Sequence, residues 1–250
     1  MLNYFKYHIL HQPLALAKTH DHGPKKHPKL TVVFLHGIAD SSKCYHNTLK
    51  FLEGTTTMKD VRFIAYDWLG HGKSYTNDHL EYTYDEQLSA LQNSLEKAKA
   101  TAPIVLVGHS LGTLLATRYA ITHKKSISKL ILFCPPVFTR EEIQTLTAKP
   151  EENLFMKKIS PKIAKQKYFI NSMMNVAMNT NNYKMFEKLT TPATMLYDKE
   201  DWFISAKNIK ALEKTNAKYI TTFAADGKHR INRTKYAKAL EILEKLNETL

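Results

Sequence analysis

Residues 105–116 have the sequence VLVGHSLGTLLA, which predicts a strand that turns directly into a helix. Its apolar first half is typical of a buried strand, and its second half is typical of a helix. Gly108 and Gly112 flank Ser110 two positions away on either side, and small residues there let a strand and a helix approach closely around a strained turn. Such a turn lies at the carboxyl edge of a parallel sheet, where ligands bind, and the helix N-terminus behind it favours negative charge. The pattern by itself also fits a glycine-rich turn with an N-capping serine.

The length and composition fit an ordinary globular protein. A chain of 250 residues can form one large α/β domain or two small ones. Its content of 43% hydrophobic and 24% charged residues is unexceptional. No apolar run approaches the ~20 residues that span a bilayer, and residues 1–10 lack the apolar core of a secretory signal. We therefore expect a cytoplasmic protein in which Cys44 and Cys134 are free thiols.

The formal net charge of +13 raises the question of an anionic partner. The basic residues are nearly all lysines, however, and they are spread along the chain without a helix-turn-helix, zinc-finger or aromatic RNA-binding signature. We expect a solvated basic surface and no nucleic-acid partner. Weak association with an anionic membrane surface remains open.

Strand patterns alternate with helical patterns along most of the chain. Strands are predicted at residues 3–9, 14–18, 30–35, 61–66, 104–107, 129–133, 193–197 and 219–223. Helices are predicted at residues 85–100, 110–123, 205–215 and 232–246. This alternation predicts an α/β fold with a mostly parallel central sheet of about eight strands, covered by helices.

The segment of residues 137–189 interrupts the alternation. It has no clear strand, and its apolar residues recur at roughly helical spacing among lysines. It is too long for an ordinary connection. We predict a small helical cap, residues 137–189, inserted after the sixth strand of a core domain that comprises residues 1–136 and 190–250.

Three motifs together resemble the α/β-hydrolase family, in particular its serine-esterase and monoacylglycerol-lipase-like members. They are GHSLG at residues 108–112, LHG at residues 35–37 and DWLGHGKS at residues 67–74. The resemblance implies the α/β-hydrolase fold and a nucleophile at Ser110. It also implies an oxyanion hole made by the backbone N–H groups of Ile38 and Leu111, with no cofactor or metal. In this family, His36 and His71 would shape loops.

A serine hydroxyl needs a base, and the base needs an orienting acid. Two histidines follow Ser110, and His123 lies roughly 20 Å away at the far end of the predicted helix. His229 follows the last strand, where the family has its catalytic histidine. The family pattern after residue 192 places the acid at Asp201, while Asp198 occupies a position where glycine is usual and stays an alternative. Asp226 is close to the histidine in sequence and is a poorer candidate.

The resemblance implies a serine hydrolase that cleaves small-molecule carboxylic esters of short- to medium-chain or lipophilic acyl groups through an acyl-enzyme intermediate. A methionine-rich cap suits an apolar acyl pocket. Thioesterase, carbon–carbon hydrolase and peptidase activities remain alternatives, as does a non-catalytic or slow ligand receptor on the same fold.

Two further groups of residues invite a chemical role. Cys134 also ends a strand, but it lacks the elbow motif, so we expect it to pack at the strand end. His20, His22 and His27 lie in the polar segment 20–28, which we expect to be an exposed loop rather than a metal site.

Overall fold

Seven strands form one sheet in the computed structural model. The structure describes residues 14–101, 103–148, 157, 159–178 and 181–250. The strand order across the sheet is β1-β3-β2-β4-β5-β6-β7, with β1 antiparallel to β3 and every other neighbouring pair parallel. The strands are β1 (Ala17–His22), β2 (Leu30–Leu35), β3 (Val61–Asp67), β4 (Ile104–His109), β5 (Ile127–Phe133), β6 (Ala193–Tyr197) and β7 (Ile220–Ala224). The mostly parallel sheet is therefore confirmed, whereas the strand predicted at residues 3–9 lies outside the described residues.

Helices cover both faces of this sheet. They are α1 (His46–Glu53), α2 (Tyr84–Lys97), α3 (Leu111–Thr122), α4 (Arg140–Ala148), α5 (Pro161–Ala164), α6 (Lys167–Ser172), α7 (Asn182–Glu187), α8 (Ala206–Thr215) and α9 (Arg233–Thr249). Apolar residues of α2, α3 and α8 pack in one core cluster, and those of α1 and α9 pack in the other. Strands β2, β3 and β4 are buried at every residue, as burial on both faces requires. No helix in the described part of the chain combines the length and apolar character needed to cross a bilayer.

Most of the described residues between β5 and β6 lie in helices. They form α4 to α7 and a π-helical turn, Met173–Ala177, which follows α6 directly. Phe169, Val176 and Phe186 join the larger core cluster. The segment is therefore packed onto the sheet by its own apolar side chains.

The N-terminal edge of the sheet differs from the prediction. A strand was expected at residues 14–18 and a loop at residues 20–28, but β1 extends to His22. Asp21 of β1 accepts two hydrogen bonds from Arg62 of β3, at 2.9 and 3.0 Å. An edge strand with one face toward water has a polar sequence. A prediction from hydrophobicity alone therefore places the ends of β1 at the wrong residues. His27 lies beyond the strand and is exposed.

Candidate active site

Ser110 occupies a sharp turn between β4 and α3, with φ of 49° and ψ of −118°. The backbone around it leaves no room for larger residues. A Cβ atom at Gly112 would lie 2.1 Å from the carbonyl oxygen of Leu35, and one at Gly108 would lie 2.7 Å from the carbonyl oxygen of Gly112. The two glycines thus allow the close strand–helix contact that holds Ser110 in a left-handed conformation, which stores strain at this position.

We expect Gly112→Ala to destabilise the protein. The new methyl group would force the backbone of β2 away from α3, and overpacking of this kind typically costs about 1–3 kcal/mol. In a domain of this size each kcal/mol lowers Tm by about 2–4 °C, which a thermal melt followed by circular dichroism measures. Gly54→Ala is the matched control. A Cβ atom at Gly54 would lie 3.3 Å from the nearest carbonyl oxygen, and the negative φ of Gly54 suits alanine. Equal melting of both variants and the parent would contradict the packing argument.

Three side chains from separate strand ends meet at the carboxyl edge of the sheet. His229, after β7, has its Nε2 3.0 Å from the Oγ of Ser110. Its Nδ1 lies 2.8 Å from the Oδ2 of Asp201, after β6. The Asp201 side chain is fully buried, and the N–H of Phe203 donates to its Oδ1 at 2.9 Å. A carboxylate at Nδ1 favours the imidazole tautomer whose Nε2 can accept a proton from the serine hydroxyl.

Asp198, the alternative acid, makes different contacts. Its carboxylate accepts hydrogen bonds from the backbone N–H of Glu200 at 2.8 Å and of Lys228 at 2.6 Å. Burial raises the pKa of Asp198, but these two hydrogen bonds and the charges of Lys235 and Lys228 outweigh it and hold the pKa below its ordinary value. Asp198 therefore ties the turn after β6 to the segment that carries His229, and Asp201 is the carboxylate that reaches the imidazole.

The loop after β2 lies directly against Ser110. A Cβ atom on Gly37 would be 3.1 Å from the Cβ of Ser110, and Ile38 follows in the chain. His36 fixes this loop: its Nδ1 donates to the Gly37 carbonyl at 2.6 Å, and its Nε2 accepts from the N–H of Trp68 at 3.1 Å. Burial lowers the pKa of His36 to about 3, so the ring is neutral at pH 7.

The two candidate oxyanion donors lie beside the serine. Leu111 is the first residue of α3, so its N–H has no acceptor within the helix. The N–H of Ile38 donates to no backbone acceptor in the described part of the chain. Both residues line one small cavity together with Ser110. Two free donors beside a serine hydroxyl form a suitable site for a developing negative charge.

This cavity beside Ser110 is apolar. It has room for about one water molecule. The segment between β5 and β6 covers it, since Met173, Ala177 and Met178 contribute to its wall. The remaining lining residues are Ile38, Leu111, Pro136, Phe138 and Phe203.

Cys134 lies close to the side chains of Asp201 and His229. Its Sγ and ligand atoms of Asp201 and His229 all lie within 4.8 Å of one another, which among the described residues is the single group of three potential metal ligands. Burial raises the pKa of the Cys134 thiol to about 12, so a neutral thiol faces the site. A nucleophile or a metal ligand would have to be a thiolate, and the carboxylate and imidazole already bond to each other. The donor set therefore does not fit a metal ion.

Sequence reasoning missed His109, the residue before Ser110. Its Nε2 donates to the carbonyl of His229 at 3.0 Å. Burial and the neighbouring His229 lower the pKa of His109 to about 3, so the ring is neutral at pH 7. Its position inside the GHSLG pentad is the one sequence signal that could have identified it. His71 is also buried, with its Nδ1 near the Leu69 carbonyl at 3.1 Å, so it shapes its own loop.

Residues 26–187, more than half of the chain, match the family model described as serine aminopeptidase, S33. The chain belongs to this α/β-hydrolase family. Solved structures of low sequence identity have the same fold. The esterase from Exiguobacterium antarcticum aligns with a TM-score of 0.68 at 19% identity, covering 95% of this chain and 100% of that one. MenH from S. aureus aligns with a TM-score of 0.64 at 18% identity, covering 92% and 98%.

Curated relatives of this α/β-hydrolase match over part of their length. The probable lysophospholipase BODYGUARD 1 of Arabidopsis thaliana is 35% identical over 108 residues, which are 43% of this chain and 23% of that protein. Lipase LipV of Mycobacterium tuberculosis is 28% identical over 125 residues, 48% of this chain and 44% of that protein. The alignment with the plant relative thus spans about a quarter of that protein's length.

Proposed function

We propose that this protein hydrolyses carboxylic esters through an acyl-enzyme intermediate on Ser110. The observation that carries the proposal is the continuous series of contacts from Asp201 through His229 to Ser110, on a strained turn beside an apolar cavity. The similarity of the chain to an esterase, a lipase and probable lysophospholipases supports ester chemistry.

In the first half of the reaction, Ser110 attacks the ester carbonyl. The Nε2 of His229 takes the hydroxyl proton as the Oγ–carbon bond forms, and Asp201 stabilises the resulting imidazolium. The N–H groups of Ile38 and Leu111 donate to the oxyanion, and the loss of one such donor typically costs about 3 kcal/mol. His229 then gives its proton to the departing alcohol, which leaves the acyl group on Ser110.

In the second half, a water molecule replaces the alcohol. His229 takes a proton from this water, which attacks the acyl carbonyl, and the same two backbone donors hold the second oxyanion. When the bond to Oγ breaks, the proton returns to Ser110 and the carboxylic acid leaves.

We further propose that residues 137–189 act as a cap over a core domain of residues 1–136 and 190–250. The cap would determine which acyl groups bind, because Met173, Ala177 and Met178 form one wall of the cavity beside Ser110. The cavity has room for about one water molecule, so an acyl chain would bind as the side chains of Met173 and Met178 change rotamer, which flexible thioether side chains allow. We therefore propose short- to medium-chain or other lipophilic acyl groups as substrates.

Met178→Ala should shift the preferred acyl chain to greater length. The change removes three heavy atoms from the cavity wall and so makes room for a longer acyl chain. Each additional methylene of the substrate that is buried there stabilises the transition state by about 0.8 kcal/mol, or roughly fourfold in rate. The shift is read as the optimum of kcat/KM across an ester series. Met174→Ala is the matched control, since Met174 lies in the same segment and is 53% exposed. An unchanged optimum in Met178→Ala would contradict the proposed acyl pocket.

Hydrolysis of p-nitrophenyl esters from acetate to palmitate, with Ser110→Ala alongside, tests the proposed function. We expect a clear optimum in chain length that the substitution abolishes. Rates equal to those of Ser110→Ala across the whole series would contradict ester hydrolysis. Thioester, carbon–carbon and peptide substrates would then be the next to test, followed by ligand binding without turnover.

A further inference from the structure

Lys235, in the first turn of α9, is a fully buried cation. An ammonium group that leaves water without compensating partners carries a large free-energy cost. Its Nζ donates to the carbonyl oxygens of Lys228 at 2.6 Å and of Arg230 at 2.8 Å, and it lies 3.5 Å from the Sγ of Cys134. Within the described residues no carboxylate pairs with it. An ammonium has three donors and no acceptor, and this site supplies three acceptors.

The two carbonyls that Lys235 binds belong to the residues on either side of His229. This segment needs external support, because Lys228 has a φ of 54° and Gly227 before it has a φ of 98°. A non-glycine residue in the left-handed region persists where the surrounding structure holds it. Lys235 binds the segment at two points, one before the imidazole and one after it.

Three other side chains also contact this segment, and one of them, Cys134, has its Sγ 3.5 Å from the carbonyl oxygen of Lys228. Asp198 accepts from the N–H of Lys228, and His109 donates to the carbonyl of His229. The side chain of Asn232 accepts a hydrogen bond from the backbone N–H of Lys235 at 3.1 Å. This bond fixes the start of α9 and therefore the backbone position of Lys235. The buried lysine is therefore the central contact in a set that holds the backbone of residues 228–230.

We propose that Lys235 is a positioning residue that keeps the imidazole of His229 within hydrogen-bond distance of Ser110. The inference rests on the proposed function, since it concerns the efficiency of the same proton transfer. A displacement of about 1 Å in such a group can lower the rate on the order of 100-fold. The lysine itself touches neither the serine nor the cavity beside it.

Lys235→Ala in the full chain tests this inference. We expect kcat for p-nitrophenyl butyrate to fall about 100-fold, with KM nearly unchanged. Propylammonium matches the atoms that the substitution removes, so it should restore at least part of kcat. Tetramethylammonium at the same concentration has no N–H donor and should restore nothing. Lys245→Ala is the matched control, because Lys245 lies in the same helix, carries the same charge and is exposed.

A measurement that does not depend on activity separates this inference from the proposed function. The imidazole NMR signals of His229, assigned with a His229→Gln variant, should shift or broaden in Lys235→Met, which keeps most of the packing volume. Unchanged signals together with unchanged kcat in the folded variant would overturn the positioning role and leave Lys235 as a structural residue. A parent protein that cleaves no ester would instead refute the proposed function, and the NMR comparison would still decide the role of Lys235.

Discussion

Ser110→Ala is expected to lower kcat for p-nitrophenyl butyrate by between about 10⁴- and 10⁶-fold, the range found when a single member of a catalytic triad is removed. The substitution deletes the atom that forms the acyl bond, and the neighbouring thiol of Cys134 is fully buried and, with its pKa raised to about 12, neutral. Initial rates at saturating ester measure the effect.

Ser126→Ala is the control for this experiment. Ser126 lies beyond the other end of α3, where its hydroxyl donates to the carbonyl of His123 at 3.1 Å. The same chemical change there should leave kcat within a few-fold of the parent. Substantial activity in Ser110→Ala would show that another group is the nucleophile, and the mechanism proposed here would be wrong.

Asp201→Asn is expected to lower kcat on the order of 10⁴-fold while the protein stays folded. The amide keeps the shape of the carboxylate, but its NH₂ group can donate to Nδ1 and so favours the tautomer whose Nε2 carries the proton. That tautomer cannot accept the proton of Ser110. The expected signature is a loss in kcat with little change in Tm.

Asp198→Asn provides the comparison that decides between the two acids. It keeps one acceptor oxygen and weakens the charge-assisted hydrogen bonds to the N–H groups of Glu200 and Lys228, each typically worth about 1.5–3 kcal/mol. Its main effect should therefore be on the free energy of unfolding, measured in urea, and the loss in kcat should be much smaller than in Asp201→Asn. A larger loss of kcat in Asp198→Asn would reverse the assignment of the acid.

The parts of the fold that are buried on both faces could be predicted from the sequence. Strands β2 to β5 are short apolar runs, and the glycine pair around Ser110 marks the strand–helix turn because only small residues fit there. The ends of strand β1 could not be predicted well, because β1 is an edge strand whose Asp21 is bound by Arg62 of β3. Its partner is distant in sequence, and its own residues are polar.

The meeting of the three candidate catalytic residues at one edge of the sheet could be predicted, and the residues that support them could not. Ser110, Asp201 and His229 each follow a strand, so the topology of a parallel sheet brings them to one edge. His109 and Lys235 act through backbone carbonyls of the segment around His229. Lysine is rarely buried, so its residue type predicts exposure, although Lys235 lies four and eight residues before the buried Ala239 and Leu243 on the same face of α9.

The most direct test of an acyl-enzyme on Ser110 is mass spectrometry of the protein after brief mixing with p-nitrophenyl butyrate and acid quenching. The mechanism predicts a protein species heavier by one butyryl group, with the added mass mapped by peptide digestion to Ser110 and absent from Ser110→Ala. An acyl group on any other residue, or rapid ester cleavage with no trapped adduct and no dependence on Ser110, would contradict the mechanism.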